Sequence, residues 1–153
     1  MALYTIRKPG GAITPDTGTV TYMSMIPAAT RSIRIQEFSH SGLGTASASN
    51  ELRMAPAPVG TTPGAAVTPA PFNPTASVAA IFTTATTYAT APATNAQAGV
   101  SYGVNSNGGT YRWLAKTNFE LISSGAVASF ATMGWIVVAG TGSLTGHIIV
   151  EEL

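Results

Sequence analysis

Apolar and polar residues alternate with period two along much of this chain, and turn residues interrupt the pattern every few positions. That combination points to β structure. Ser32-Ile33-Arg34-Ile35-Gln36 alternates as a half-buried strand should, and Asn50-Glu51-Leu52-Arg53-Met54 does so with Leu52 and Met54 inward. Thr19-Val20-Thr21-Tyr22-Met23 is a weaker case. Tyr111–Lys116 and Asn118–Ile122 read as aromatic-rich strand pieces. Trp135–Val138 and His147–Val150 are short, continuous, β-branched runs, the pattern of strands buried on both faces. Residues 126–139 read as two strands and are too short to cross a bilayer as a helix.

Pro9-Gly10-Gly11, Ser41-Gly42, Asn107-Gly108-Gly109 and Gly140-Thr141-Gly142 punctuate the pattern. Asn107-Gly108 lies between two strand-like runs and predicts a hairpin. Residues 56–74 hold six prolines, Pro56, Pro58, Pro63, Pro69, Pro71 and Pro74. Each removes a backbone donor and fixes φ, so the stretch reads as a long surface loop. After it, Asn73-Pro74-Thr75 opens one helical turn, and the threonines at 83, 84, 86 and 87 favour strand. The length predicts one domain, residues 1–153. The expected fold is all-β, an antiparallel β-sandwich or a barrel, with a long proline-rich loop.

Charged residues make up only 8% of the chain, against about 25% in an ordinary domain. The net charge of +1 offers no basic stripe for nucleic acid, and no such partner is expected. The opening residues lack the apolar run of a secretory signal, and no membrane partner is expected. With so few charges, the outside must be covered by Thr, Ser, Ala and Gly, and self-repulsion is weak. Lysine, the usual blocker of sheet edges, occurs only at Lys8 and Lys116. Association with copies or partners follows as an expectation.

Chemistry is sparse. Cysteine is absent, which removes disulfides, zinc-thiolate sites and a thiol nucleophile. Ser39-His40-Ser41 and the only aspartate, Asp16, offer triad residue types. However, Gly-x-Ser-x-Gly is missing, and His40 reads as a strand end at a turn. His147 with Glu151 and Glu152 gives too few ligands for a closed metal site, so neither metal nor cofactor is expected. The six carboxylates are readily used in ion pairs, with Arg34 and Glu37 the obvious local pair. Tyr102, Tyr111, Trp113 and Trp135 offer sugar-stacking faces, although aromatics of a sandwich usually fill its core. No enzymatic activity is expected.

Three stretches carry a family likeness. They are Met1-Ala2-Leu3-Tyr4-Thr5-Ile6-Arg7 with Pro9-Gly10-Gly11-Ala12-Ile13, then Pro27 to Phe38, then Gly146-His147-Ile148-Ile149-Val150-Glu151-Glu152. In these the chain resembles the small jelly-roll decoration, or cement, proteins of tailed-bacteriophage heads. The resemblance implies a jelly roll made in the host cytoplasm and carried on the virion. It further implies a homotrimer that clamps neighbouring subunits of the major capsid protein. The resemblance also gives an N-terminal arm, residues 1–17, which with the long loop, 56–74, would reach the shell, with Tyr4, Ile6, Arg7, Lys8 and Phe72 as contact residues. Removing the arm would leave the fold intact. The alternative is a receptor- or glycan-binding module of a phage tail fibre or spike.

Overall fold

The computed structural model describes residues 2–12, 20–60, 63–73, 75, 79–87 and 99–153. The strands run β1 (Ala2–Ala12), β2 (Val20–Pro27), β3 (Ser32–Gly42), β4 (Ser49–Ala57), β5 (Ala70–Pro71) and β6 (Phe82–Thr87). They continue with β7 (Val100–Asn105), β8 (Thr110–Leu114), β9 (Leu121–Ser124), β10 (Thr132–Ala139) and β11 (Ser143–Glu152). One sheet has the order β5-β1-β11-β3-β8, with β9 also paired to β3. The other has the order β6-β2-β10-β4-β7. Every pairing is antiparallel.

Without the edge additions β5, β6 and β9, eight strands remain. Numbered in chain order, they form sheets 1-8-3-6 and 2-7-4-5. Two four-stranded antiparallel sheets with that interleaved order define a jelly roll. The two inner faces meet in one main core cluster, filled by Tyr4, Ile6, Met23, Ile33, Phe38, Leu52, Met54, Trp135, Ile148 and their neighbours.

Strand β3 sets the register of its sheet. Ile33 and Ile35 face the core, Gln36 and Glu37 both lie half-buried on the outside, and Phe38 and His40 face inward again. This phase change coincides with a register shift opposite Ile149 and Val150 of β11, as a β-bulge requires. The bulge also divides the edge of the sheet. β8 pairs with Glu37–Ser41, β9 pairs with Ser32–Ile35, and Ala115 N–H donates to Gln36 O between them.

Several expectations are corrected. Residues 2–12 are a strand paired with β11, not an arm, and Pro9-Gly10-Gly11 falls at a register shift within it. Pro56 and Ala57 belong to β4, and Pro71 to β5, so the unpaired stretch is shorter than 56–74. Pro56 is accommodated because the pairing of β7 to β4 ends at Met54. β7 and β8 are not a hairpin. They pair in different sheets, and Gly108 and Gly109, both at positive φ, turn the chain across the corner. Residues 126–139 hold a 3-10 turn, Ala128–Phe130, and one strand. β10 is buried on both faces, whereas most of β11 alternates: His147 and Ile149 are half-buried outside, and the two glutamates at its end are buried. Residues 13–17 of the expected arm, Asp16 among them, and Pro74 of the expected helical turn lie outside the described residues.

Because β1 supplies core residues, Ile6→Ala should cost about 2–5 kcal/mol of stability in denaturant unfolding. Deleting residues 2–8 should abolish cooperative unfolding altogether, where a true arm would leave it unchanged.

Candidate interaction surface

The outer face of the sheet containing β3 gathers much of the chain's small stock of charge. Arg34 donates from Nε to Glu151 Oε2 at 2.8 Å and from Nη2 to the same oxygen at 2.5 Å, and Gln36 Nε2 donates to it as well. Glu120 lies 3.5 Å from Arg34 Nη1. Arg112 grips Glu37 through two bonds of 2.7 and 2.8 Å, and that grip holds the Glu37 carboxyl below its usual range. The expected Arg34–Glu37 pair does not form: the bulge aims Arg34 at β11 and Glu37 at β8.

A groove opens beside this network where β8 ends. It has a volume of about 560 Å³ and is lined by Arg112, Trp113, Leu114, Lys116 and Phe119. The connection from β8 to β9 leaves the sheet at the bulge. Asn118 turns it at a φ of 68°, in the left-handed region that asparagine tolerates. Phe119 stands 75% exposed and shares the groove with the exposed Leu114. It lies in the connection between β8 and β9, shares the groove wall with two cations and contributes nothing to the core. The signal legible in sequence was Leu114 and Phe119 on either side of Lys116-Thr117-Asn118, a polar turn too short to bury either.

The five expected contact residues fall in different places. Tyr4 and Ile6 are core residues, 1% and 0% exposed, so neither side chain is free to meet a partner in this fold. Tyr4 instead packs edge-on against Phe82 and donates to Ala79 O. Arg7 is exposed on the outer face, and Lys8 is half-buried with its ammonium 5.3 Å from the Tyr22 ring centroid. Phe72 is 57% exposed. Its N–H donates to Leu3 O, and Leu3 is itself an exposed apolar residue. The alternation Tyr4-Thr5-Ile6-Arg7 already carried the strand signal that separates inward Tyr4 and Ile6 from outward Arg7.

His40 does not end a strand at a turn. It lies within β3 with its ring fully buried. Tyr102 OH lies 2.6 Å from His40 Nδ1 and accepts a hydrogen bond from Trp135 Nε1. The imidazole also packs 4.0 Å from the Trp135 ring and 4.9 Å from that of Tyr22. Ser39 faces the opposite side of the strand, so no Ser–His relay forms. Tyr102 and Trp135 are core residues and offer no sugar platform, while Tyr111 and Trp113 are half-buried against Phe38. Among the described residues, no three His, Asp or Glu side chains cluster in a way that could hold a metal. Glu151 is committed to Arg34 and Gln36, and His147 Nε2 sits 2.6 Å from Thr5 Oγ1.

No protein-family model matches the chain, and no curated protein matches it. Solved structures similar to it include a picornavirus capsid, that of an expanded equine rhinitis A virus particle. The identity is 9% and the TM-score 0.32, covering 98% of this chain and 66% of that one. Another is a T=1 particle derived from infectious bursal virus, with 16% identity and a TM-score of 0.25, covering 99% and 40%. The chain thus spans less than two thirds of either. At such TM-scores these likenesses carry no argument about function.

Burial pulls the His40 imidazole down to about 3, from about 6.5 when unfolded. The neutral ring is therefore the form that folds. Its contribution is complete above pH 6.5 and is lost as pH falls towards 3, because the unfolded chain binds a proton that the folded chain refuses. Unfolding free energy should fall through that window by up to about 1.4 kcal/mol per pH unit from this group. The slope should flatten in His40→Gln, as read by urea unfolding at pH 7, 6, 5 and 4.

Proposed function

We propose that this chain is a structural virion protein: a decoration subunit that associates with its own copies and binds the outside of a phage head across neighbouring major capsid subunits. The observation that carries this reading is the apolar groove of Leu114, Trp113 and Phe119 on a chain with so little surface charge. Exposed apolar patches on a poorly charged surface favour association over solution. The likeness of the opening, β3 and closing stretches to phage cement proteins supports the same reading.

The mechanism requires no chemistry. A homotrimer presents three grooves and three Leu3–Phe72 pairs at once. After the first contact with a shell, each further contact is intramolecular and gains from the high effective concentration. Binding only the assembled shell stabilises it by mass action. Exposed Arg7, Leu3 and Phe72 replace Tyr4 and Ile6 as contact residues on this side of the molecule.

A second reading, a glycan-binding module of a fibre or spike, draws on one observation: Trp113 and Phe119 share their groove with the cations Arg112 and Lys116. The two readings separate experimentally. Leu114→Asp with Phe119→Asp should keep the circular dichroism of the native sandwich. It should also lower retention on mature heads in co-sedimentation by roughly tenfold or more, the scale of losing an interface anchor. Unchanged retention would refute the groove as the docking face. Saturable binding on a glycan array, lost in the same variant, would favour the second reading.

A further inference from the structure

A rung of outward side chains crosses four strands of the sheet containing β3. Arg7 of β1 pairs with His147 of β11, His147 with Ser39 of β3, and Ser39 with Arg112 of β8. The next outward pair along the strands is Thr145 and Ser41. Beyond Lys8 the register of β1 against β11 shifts. At that shift lies a notch of about 240 Å³, lined by Arg7, Ser39, Ser41, Thr145, Gly146 and His147.

The chemistry of the notch is one-sided. Its side chains include a guanidinium, three hydroxyls and an imidazole, and none bears a negative charge. Two of the hydroxyls are already engaged. Thr145 Oγ1 donates to Lys8 O at 3.1 Å, and Ser41 Oγ lies 3.0 Å from Thr110 Oγ1. Thr5 Oγ1 faces His147 Nε2; when that hydroxyl donates, the ring proton sits on Nδ1. Arg7 has no ion-pair partner, and Ser39 Oγ no hydrogen-bond partner, among the described residues. The side wall is therefore rich in donors, and the nearby acid Glu37, one rung away and with its carboxylate within electrostatic reach of His147, has both its oxygens held by Arg112.

We infer that this notch is a binding site for a single small oxyanion, a carboxylate or a phosphate, held by Arg7 with Ser39 and His147. Guanidinium donors match the paired oxygens of either group, and the hydroxyl and imidazole add directional bonds. The site is separate from the groove at Leu114 and Phe119 but shares Arg7 with the proposed shell contacts; a titration of the isolated chain reads it without depending on shell binding.

The test is a two-dimensional NMR titration of the full chain with sodium acetate and, separately, sodium phosphate. Sodium chloride at matched ionic strength serves as the blank. The expected result is saturable shifts confined to the amides around Arg7, Ser39, Thr145, Gly146 and His147. Arg7→Gln should weaken binding by about tenfold or more, Ser39→Ala should weaken it less, and Arg31→Gln, an exposed cation outside both sites, should leave it unchanged. Saturation by acetate alone identifies a carboxylate site; saturation by phosphate identifies a tetrahedral one. Shifts that match chloride, fail to saturate, or persist in Arg7→Gln with its native spectrum intact would overturn the assignment.

Discussion

The register of β3 is the constraint on which the rest of its sheet depends. Its inward residues, Ile33, Ile35, Phe38 and His40, span the core, and the chain must place two consecutive residues outside to keep all four inward. The bulge at Gln36–Glu37 does this without breaking the ladder to β11. It sends Arg34 and Gln36 to Glu151, sends Glu37 to Arg112, and hands the sheet edge from β8 to β9. The connection released at that point carries Phe119. Core packing, the ion-pair pattern and the exposed groove thus follow from one local irregularity.

Scarcity of charge gives the surface its character. Three of the six acidic residues, Glu37, Glu120 and Glu151, are taken up by Arg34 and Arg112 on one face, and Glu152 is buried, where it accepts the Ile81 N–H. Little charge remains to guard the edges, and apolar side chains stand exposed at both flanks of this sheet: Leu3 and Phe72 beside β1, Leu114 and Phe119 beside β8. Proteins that must stay apart protect such edges with lysine or proline. Here Pro71 caps the β1 flank, whereas β8 ends in Leu114.

The individual strands could be read from the sequence because burial on one face imposes period two. Residues 32–36, 50–54, 135–138 and 147–150 all lie in strands, whereas the expected pieces 111–116 and 118–122 are strand only at 111–114 and at Leu121 and Ile122. The apolar positions 33, 35 and 38 even encode the bulge, since the last breaks the alternation of the first two. What misled was turn chemistry. Pro9-Gly10-Gly11 resembles a strand end yet sits at an irregularity inside β1. Asn107-Gly108 resembles a hairpin yet joins two sheets, because partner choice depends on contacts distant in sequence. The notch at Arg7, Ser39 and His147 had no local signature, since its walls come from three strands that only the 1-8-3-6 order brings together.

On the proposed reading, this charge-poor, apolar-edged surface brings copies of the chain together. Native mass by light scattering across a concentration series reads that out. The expected result is the mass of three chains, held from low to high concentration. The mass of a single chain throughout that range would refute it.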